Sequence, residues 1–152
     1  MPPATGWTQR VGCTTVEDRF GRGVVLDGFE KLNRQTAETM RSRMEALFKP
    51  GHYKFADVVE TDGHGNGPFK IRLAVDVSDN GFVLDTTETD DQSPGPVNWL
   101  LHPAVPRMMF GLYLGGDDQH LIVNEGMMSI LDDVKVRPGS LIQPKFPAAV
   151  GH

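Results

Sequence analysis

Phe69-Lys70-Ile71-Arg72-Leu73-Ala74-Val75-Asp76, then Ser78-Asp79-Asn80-Gly81, then Phe82-Val83-Leu84-Asp85-Thr86, decides the fold class. Phe69, Ile71, Leu73 and Val75 alternate with Lys70, Arg72, Ala74 and Asp76. Successive side chains of a strand point to opposite faces, so a period of two predicts a strand with one face buried and the other wet. Phe82, Leu84 and Thr86 repeat the pattern against Val83 and Asp85. Asn80-Gly81 supplies the pair that a type I′ turn needs at its two positive-φ positions, which predicts an antiparallel hairpin. Ahead of it, Tyr53 and Phe55 alternate with Lys54 and predict another strand. The connection Thr61-Asp62-Gly63-His64-Gly65-Asn66-Gly67-Pro68 is too rich in glycine to be anything but a turn.

Towards the N-terminus the period lengthens. Phe29, Leu32, Thr36, Met40, Met44, Leu47 and Phe48 recur at spacings of three and four, with Lys31, Arg34, Glu38, Arg41 and Glu45 on the other side, which predicts an amphipathic helix over 27–48. Asp27 followed by Glu30 is a variant of the capping box, and Pro50-Gly51 closes the helix. Residues 1–25 carry no sustained period and read as an arm with one short helical turn around Val16 to Phe20. Burying a large apolar side chain is worth roughly 1.5–3 kcal/mol, so an arm carrying Trp7, Val11 and Phe20 is expected to lie against something.

Towards the C-terminus, the acidic stretch Glu88, Asp90 and Asp91 leads into an apolar run from Trp99 to Tyr113. That run predicts a second, mostly buried helix near Pro103 to Leu114, broken or started by Pro103 and Pro106. Ile130, Val134 and Val136 alternate loosely, and the proline-bearing tail from Leu141 excludes a central strand. The expectation is an α+β fold: an antiparallel sheet flanked by two main helices, with an N-terminal arm (1–25), one domain (26–152) and a Pro-rich tail.

Composition narrows the function. The chain has 152 residues, 15 Lys and Arg against 20 Asp and Glu, and a net charge of -5, which leaves no cationic surface for nucleic acid. No apolar window reaches the 18 residues a bilayer span requires, and Met1 to Gly12 lacks the core of a signal peptide, so the chain reads as cytoplasmic, with no membrane partner. Its single cysteine, Cys13, cannot form an internal disulfide and has no nearby histidine to activate it. The five histidines are dispersed and make no short-spaced ligand pair, so no metal held by this chain is expected. Glu88, Asp90 and Asp91 could form a cation or acid/base cluster, but a solvated loop is the favoured reading. Gly63-His64-Gly65 lacks the strand-to-helix setting that makes a glycine run cradle phosphate. No self-sufficient active site emerges.

Several stretches together resemble the hydantoinase B / 5-oxoprolinase family, which includes the large subunits of acetone and acetophenone carboxylases. Pro138-Gly139-Ser140-Leu141-Ile142-Gln143-Pro144-Lys145-Phe146-Pro147-Ala148-Ala149-Val150-Gly151 is similar to that family's PxGSLLNPxxPAAVG signature. Thr87 to Asn98 resembles its TGTxxQxxGPxN loop, with Glu88 in place of the glycine; Val123-Asn124-Glu125-Gly126 resembles its NxG segment, and Gly51 to Asp57 its GxYxxED strand. The resemblance covers about residues 18–151, with the motifs in the family's order. It implies an internal segment of the large subunit, encoded separately, without the family's N-terminal Asp/His metal motif.

The implied function is that of a small subunit in a heteromeric ATP-dependent ketone carboxylase or hydantoinase/oxoprolinase-like complex. Its implied partners are a hydantoinase A-like ATPase subunit and a larger hydantoinase B-like subunit, with ATP and a divalent metal belonging to the whole complex and none bound by this chain. The alternatives are a non-catalytic assembly subunit of such a complex and a stand-alone binding domain. The candidate substrate-contacting residues are Gln92, Asn98 and Asn124, whose amides can orient an oxyanion or carboxylate without ionising. The competing reading of the two asparagines is turn formation and backbone capping.

Overall fold

The alternating runs build the sheet. In the computed structural model, which describes residues 16–79, 81–115 and 122–151, strands β1 (Gly51–Val59), β2 (Phe69–Ser78), β3 (Gly81–Asp85) and β4 (Asp133–Lys135) lie in the order β1-β2-β3-β4. β1 and β2 are antiparallel from Gly51 opposite Val77 to Val59 opposite Phe69, and β2 and β3 from Ala74 opposite Asp85 to Ser78 opposite Gly81. The fold is α+β, as the periodicity predicts. β4 is the exception to an antiparallel sheet, since it runs parallel to β3 with Leu84 opposite Val134. At three residues, it has too short a run for alternation to announce it.

The hairpin forms, but its turn is placed differently. Ser78 pairs with Gly81, so the connection is Asp79-Asn80 rather than Asn80-Gly81. Gly81 takes φ +124, and its missing Cβ leaves room for the Asp132 carboxylate, which accepts the Phe82 N–H at 2.7 Å. Asn80 lies outside the described residues.

One face of the sheet carries the core. Val77, Phe82, Leu84 and Val134 pack against Met40 and Met44 of helix α1 (Arg22–Leu47) and against Met127, Ile130 and Leu131 in and after a 3-10 helix (Glu125–Ile130). This is helix on sheet, two layers sharing one apolar interior. α1 begins at Arg22, after a helical stretch over 16–20 and a break at Gly21 (φ 82), with no side-chain cap. Asp27 is therefore interior to the helix and pairs with Lys31 one turn on at 2.6 Å, so it caps nothing. The stripe is buried only from Thr36 through Met40 to Met44; Leu26, Phe29 and Leu32 stand exposed, so the first three turns overhang the sheet. Trp7 and Val11 lie outside the described residues.

Helix α2 (Ala104–Gly115) starts directly after Pro103, with Pro106 in its first turn where a missing N–H costs nothing. Two expectations change here. Residues 99–101 are not helical: the Trp99 and Leu101 N–H groups bond the carbonyls of Leu141 and Ile142 at 2.8 and 2.9 Å. Nor is α2 mostly buried, because Met108, Met109, Leu112 and Tyr113 are exposed, Tyr113 by 85%. The helix is held through Pro106, Gly111 and Gly115 instead, and a Cβ on Gly111 would come within 2.9 Å of the Met127 carbonyl oxygen. Among the described residues no helix is long and apolar enough to cross a membrane.

Candidate functional site

The loop after β3 and the C-terminal tail are tied together by polar side chains. Thr86, Thr89, Ser93, Asn98 and Ser140 are all buried. Arg137 donates to the carbonyls of Thr87 and Thr89 at 2.9 and 2.6 Å and to Asp91 Oδ1 at 2.7 Å. Thr89 Oγ1 extends the edge of β2 by accepting from the Arg72 N–H at 3.1 Å and donating to its carbonyl at 3.0 Å. Asp90 takes the Lys70 N–H at 2.8 Å and Arg72 Nη1 at 2.6 Å. The Lys70 N–H and then the Arg72 side chain hold the Asp90 carboxyl below the usual carboxylate range. Of the acidic run, Asp90 and Asp91 are thus anchors of the loop, whereas Glu88 faces Lys54 at 3.9 Å.

Asp62 joins the glycine-rich turn to this knot. Its carboxylate accepts from the His64 N–H (2.8 Å), the Asn66 N–H (3.1 Å), Asn66 Nδ2 (2.7 Å) and Ser93 Oγ (3.0 Å). Burial pushes that carboxyl up, but these four hydrogen bonds outweigh it and hold it far below the ordinary value. Gly95 lies against the same carboxylate, where a Cβ would collide with it.

Of the three candidate residues, two sit in the knot and one does not. Asn98 is 1% exposed. Its Oδ1 accepts the Ser93 N–H at 2.8 Å, and its Nδ2 donates to the carbonyls of Ser93 (2.8 Å), Gly95 (3.1 Å) and Ala149 (2.8 Å). Asn124, on the far side of the core, caps the 3-10 helix by accepting the Gly126 N–H at 2.8 Å and donates to Thr36 Oγ1 at 2.9 Å. Both amides are engaged with backbone or neighbouring side chains. Gln92 is half-buried; its Oε1 accepts the Lys145 N–H at 2.7 Å, and its Nε2 reaches the Lys145 carbonyl only at 3.4 Å. It borders a cleft of about 400 Å³ between Gln92-Ser93-Pro94 and residues 146–149, with Phe146 97% exposed at the rim.

A second cleft, about 280 Å³, lies on the outer face of the sheet. The register sets His52, Lys54 and Ala56 of β1 beside Asp76, Ala74 and Arg72 of β2, with Asp85 next to Ala74. His52 Nδ1 contacts Asp76 Oδ1. Asp85 Oδ1 accepts the N–H and hydroxyl of Thr87 at 2.8 and 2.6 Å. Burial raises the Asp85 carboxyl, but the Thr87 bonds, helped by the charges of Lys135 and His52, bring it below the usual range. His52 and Arg72 are paired with Asp76 and Asp90, whereas Lys54 approaches Glu88 only at 3.9 Å. The Thr87 hydroxyl is bonded to a carboxylate held below its usual range and so a weak base, which leaves the cleft able to exchange partners with a polar ligand. The sequence offered each residue singly. Only the three-strand register brings them together, and that register depends on turn geometry that periodicity does not specify.

Among the described residues no group of three or more His, Cys, Asp or Glu could hold a metal ion. The described side chains therefore offer no set that fits the divalent metal the family resemblance implies for a whole complex.

A sequence profile of the Hydantoinase B/oxoprolinase family matches residues 10–152. No curated protein sequence matches the chain. Among solved structures, the fold is similar to the ATP-dependent caprolactamase from Pseudomonas jessenii, with a TM-score of 0.70 and 22% identity over 91% of this chain. The match spans 24% of that caprolactamase chain. Because the family profile covers all but the first nine residues, the chain belongs to the hydantoinase B/oxoprolinase family.

Proposed function

We propose that this chain is a subunit of a heteromeric, ATP-dependent complex of the hydantoinase/oxoprolinase type, working in the cytoplasm and inactive alone. Its partners are a hydantoinase A-like ATPase chain and a larger hydantoinase B-like chain, which bring the ATP site and the divalent metal. The observation that carries this reading is the uncovered apolar surface of α1 and α2, on a fold that fills 24% of a solved family-like chain. Exposed apolar patches of this kind are what a partner interface requires. The reaction is opening of a cyclic amide or, as in acetone and acetophenone carboxylases, ATP-driven carboxylation of a ketone.

The subunit contributes scaffold and one wall of the site, and of the three candidate amides Gln92, half-buried and bordering a cleft, is the least enclosed. A second reading, a non-catalytic assembly subunit, is favoured by the engagement of Asn98 and Asn124 with the fold itself. Purification of the tagged chain from its native source tests the proposal. Co-elution with ATPase-like and larger hydantoinase B-like chains is expected, and ATP-dependent turnover of a lactam against bicarbonate-dependent turnover of a ketone then separates the two chemistries. A well-folded monomer with no such companions overturns it. Gln92→Ala in the assembled complex separates the two subunit readings: lost turnover with intact assembly places this chain at the site, and unchanged turnover makes it a scaffold.

A further inference from the structure

β1 is an edge strand nine residues long, and every residue from Gly51 to Val58 is exposed. Its outward backbone row follows from the ladder. The N–H groups of Lys70 and Arg72 point away from β1, to Asp90 and Thr89, so the odd-numbered residues of β2 bond β1. Their partners are the odd-numbered residues of β1, which leaves His52, Lys54, Ala56 and Val58 facing outward. The Val58 N–H is capped by Asp57 Oδ1 at 2.8 Å. The N–H groups of His52, Lys54 and Ala56 have no partner among the described residues.

Natural sheets protect such an edge with prolines, bulges, short strands or charges. Here the register to β2 is unbroken over all nine residues, there is no proline, and Lys54 is the one Lys or Arg on the strand. Tyr53 and Phe55, on the core side of the sheet, are also exposed, Phe55 by 61%. On the outer side, the ion pair of Lys54 among the described residues is with Glu88, at 3.9 Å, the limit of such a contact.

Building on the subunit reading above, we propose that the open edge of β1 receives an extended strand from the larger hydantoinase B-like chain. That strand sets an acidic side chain beside Lys54 on the outer face and apolar side chains beside Tyr53 and Phe55 on the inner face. The partner follows from the chemistry of the edge. Three free N–H groups at every second residue match a strand's carbonyls, an under-paired cation matches a carboxylate, and two exposed aromatics match apolar neighbours at cross-strand distance. The fold accounts for 24% of the caprolactamase chain, so a chain long enough to supply the strand accompanies the same fold there.

Hydrogen exchange on the assembled complex tests the proposal without any mutation. The amides of His52, Lys54 and Ala56 are expected to exchange at least about 100-fold slower than in an unstructured chain. Ala56→Pro removes one outward N–H and leaves the β1–β2 ladder intact, and Lys54→Glu reverses the charge. Each is expected to lower recovery of the larger chain by about tenfold or more with the subunit's thermal unfolding unchanged. Free exchange at these three amides in an intact complex overturns the proposal and leaves the subunit reading standing. Protection in a sample holding only this chain overturns it in favour of a second copy on the edge. Failure to assemble with any such chain overturns both.

Discussion

Residues 86–98 and 137–151 bury the polar side chains of Thr86, Thr89, Ser93, Asn98 and Ser140 almost completely, whereas the first three turns of α1 and nearly all of β1 leave apolar side chains in water. The two regions are opposite departures from the ordinary rule that apolar groups go inside. In the knot, Thr86, Thr89, Ser93 and Asn98 find partners, Asn98 alone making four hydrogen bonds, while the Ser140 hydroxyl has none among the described residues. On α1 and β1 the apolar groups lack only something to cover them. The knot thus closes on itself but for Ser140, whereas the overhang leaves its apolar side chains without a cover among the described residues.

The sharpest way to break this contrast uses two positions on one helix. Met40 is fully buried and Phe29, eleven residues earlier on the same stripe, is 51% exposed. Met40→Ala is expected to cost about 2–5 kcal/mol by leaving a cavity in the core. Phe29→Ala is expected to stay within about 0.5 kcal/mol in the free chain, as at other sites with nothing packed on them. Urea unfolding of the two variants reads both numbers, and a large cost at Phe29 would mean that its face is already covered.

Within the knot, Asn98→Ala strands the Ser93 N–H and three carbonyls. A loss of about 3 kcal/mol is expected, since a buried group deprived of its partner costs more than the bond is worth. The measurement is again the unfolding midpoint. A loss below about 1 kcal/mol would show that water replaces the amide and that the knot is less closed than its burial indicates.

A smaller effect comes from acid. Asp62, Asp85 and Asp90 all have folded-state carboxyls held below their ordinary value. In the unfolded chain such carboxyls take up protons near pH 3.9, so below that value the unfolded state binds more protons than the folded one. Stability from these groups is therefore present above about pH 4 and is lost as pH falls further, towards the folded values. Unfolding measured at pH 3, 4, 5.5 and 7 should be flat at the upper end and fall at the lower. Asp62→Asn, which still accepts the His64 and Asn66 N–H groups, should shallow the fall.

What could be read in the sequence tracks how local each signal is. The hairpin, the long helix and α2 follow from periodicity and proline placement within a few residues. β4 is not legible because three residues against a parallel neighbour carry too little of the loose alternation of Ile130, Val134 and Val136 to mark a strand. The extended path of residues 99–101 is not legible because their partners, Leu141 and Ile142, lie about forty residues on. The same applies to the candidate site. Asn98 and Asn124 were visible as residues, but that their amides face Ala149 and Thr36 depends on contacts far away in the chain. The unpaired edge of β1 was invisible for a related reason, since a strand's sequence does not say whether it sits at the centre or the rim of its sheet.

The smallest prediction concerns the start of α1, where the D-x-x-E pattern and the structure disagree. If Asp27 capped the helix, Asp27→Ala would remove an acceptor for an orphan N–H and cost about 1 kcal/mol. In the structure the helix already runs through Asp27 from Arg22, and the carboxylate is a surface partner of Lys31, with both side chains more than half exposed. An exposed pair four residues apart is worth about 0.3–0.5 kcal/mol and is screened by salt. The expected loss is therefore at most about 0.5 kcal/mol, largely abolished by raising the salt to about 1 M, where screening acts within about 3 Å. A larger, salt-independent loss would place the true start of the helix at Asp27. The overhang would then be about one and a half turns shorter, with Leu26 and the residues before it no longer part of a helical face offered to a partner.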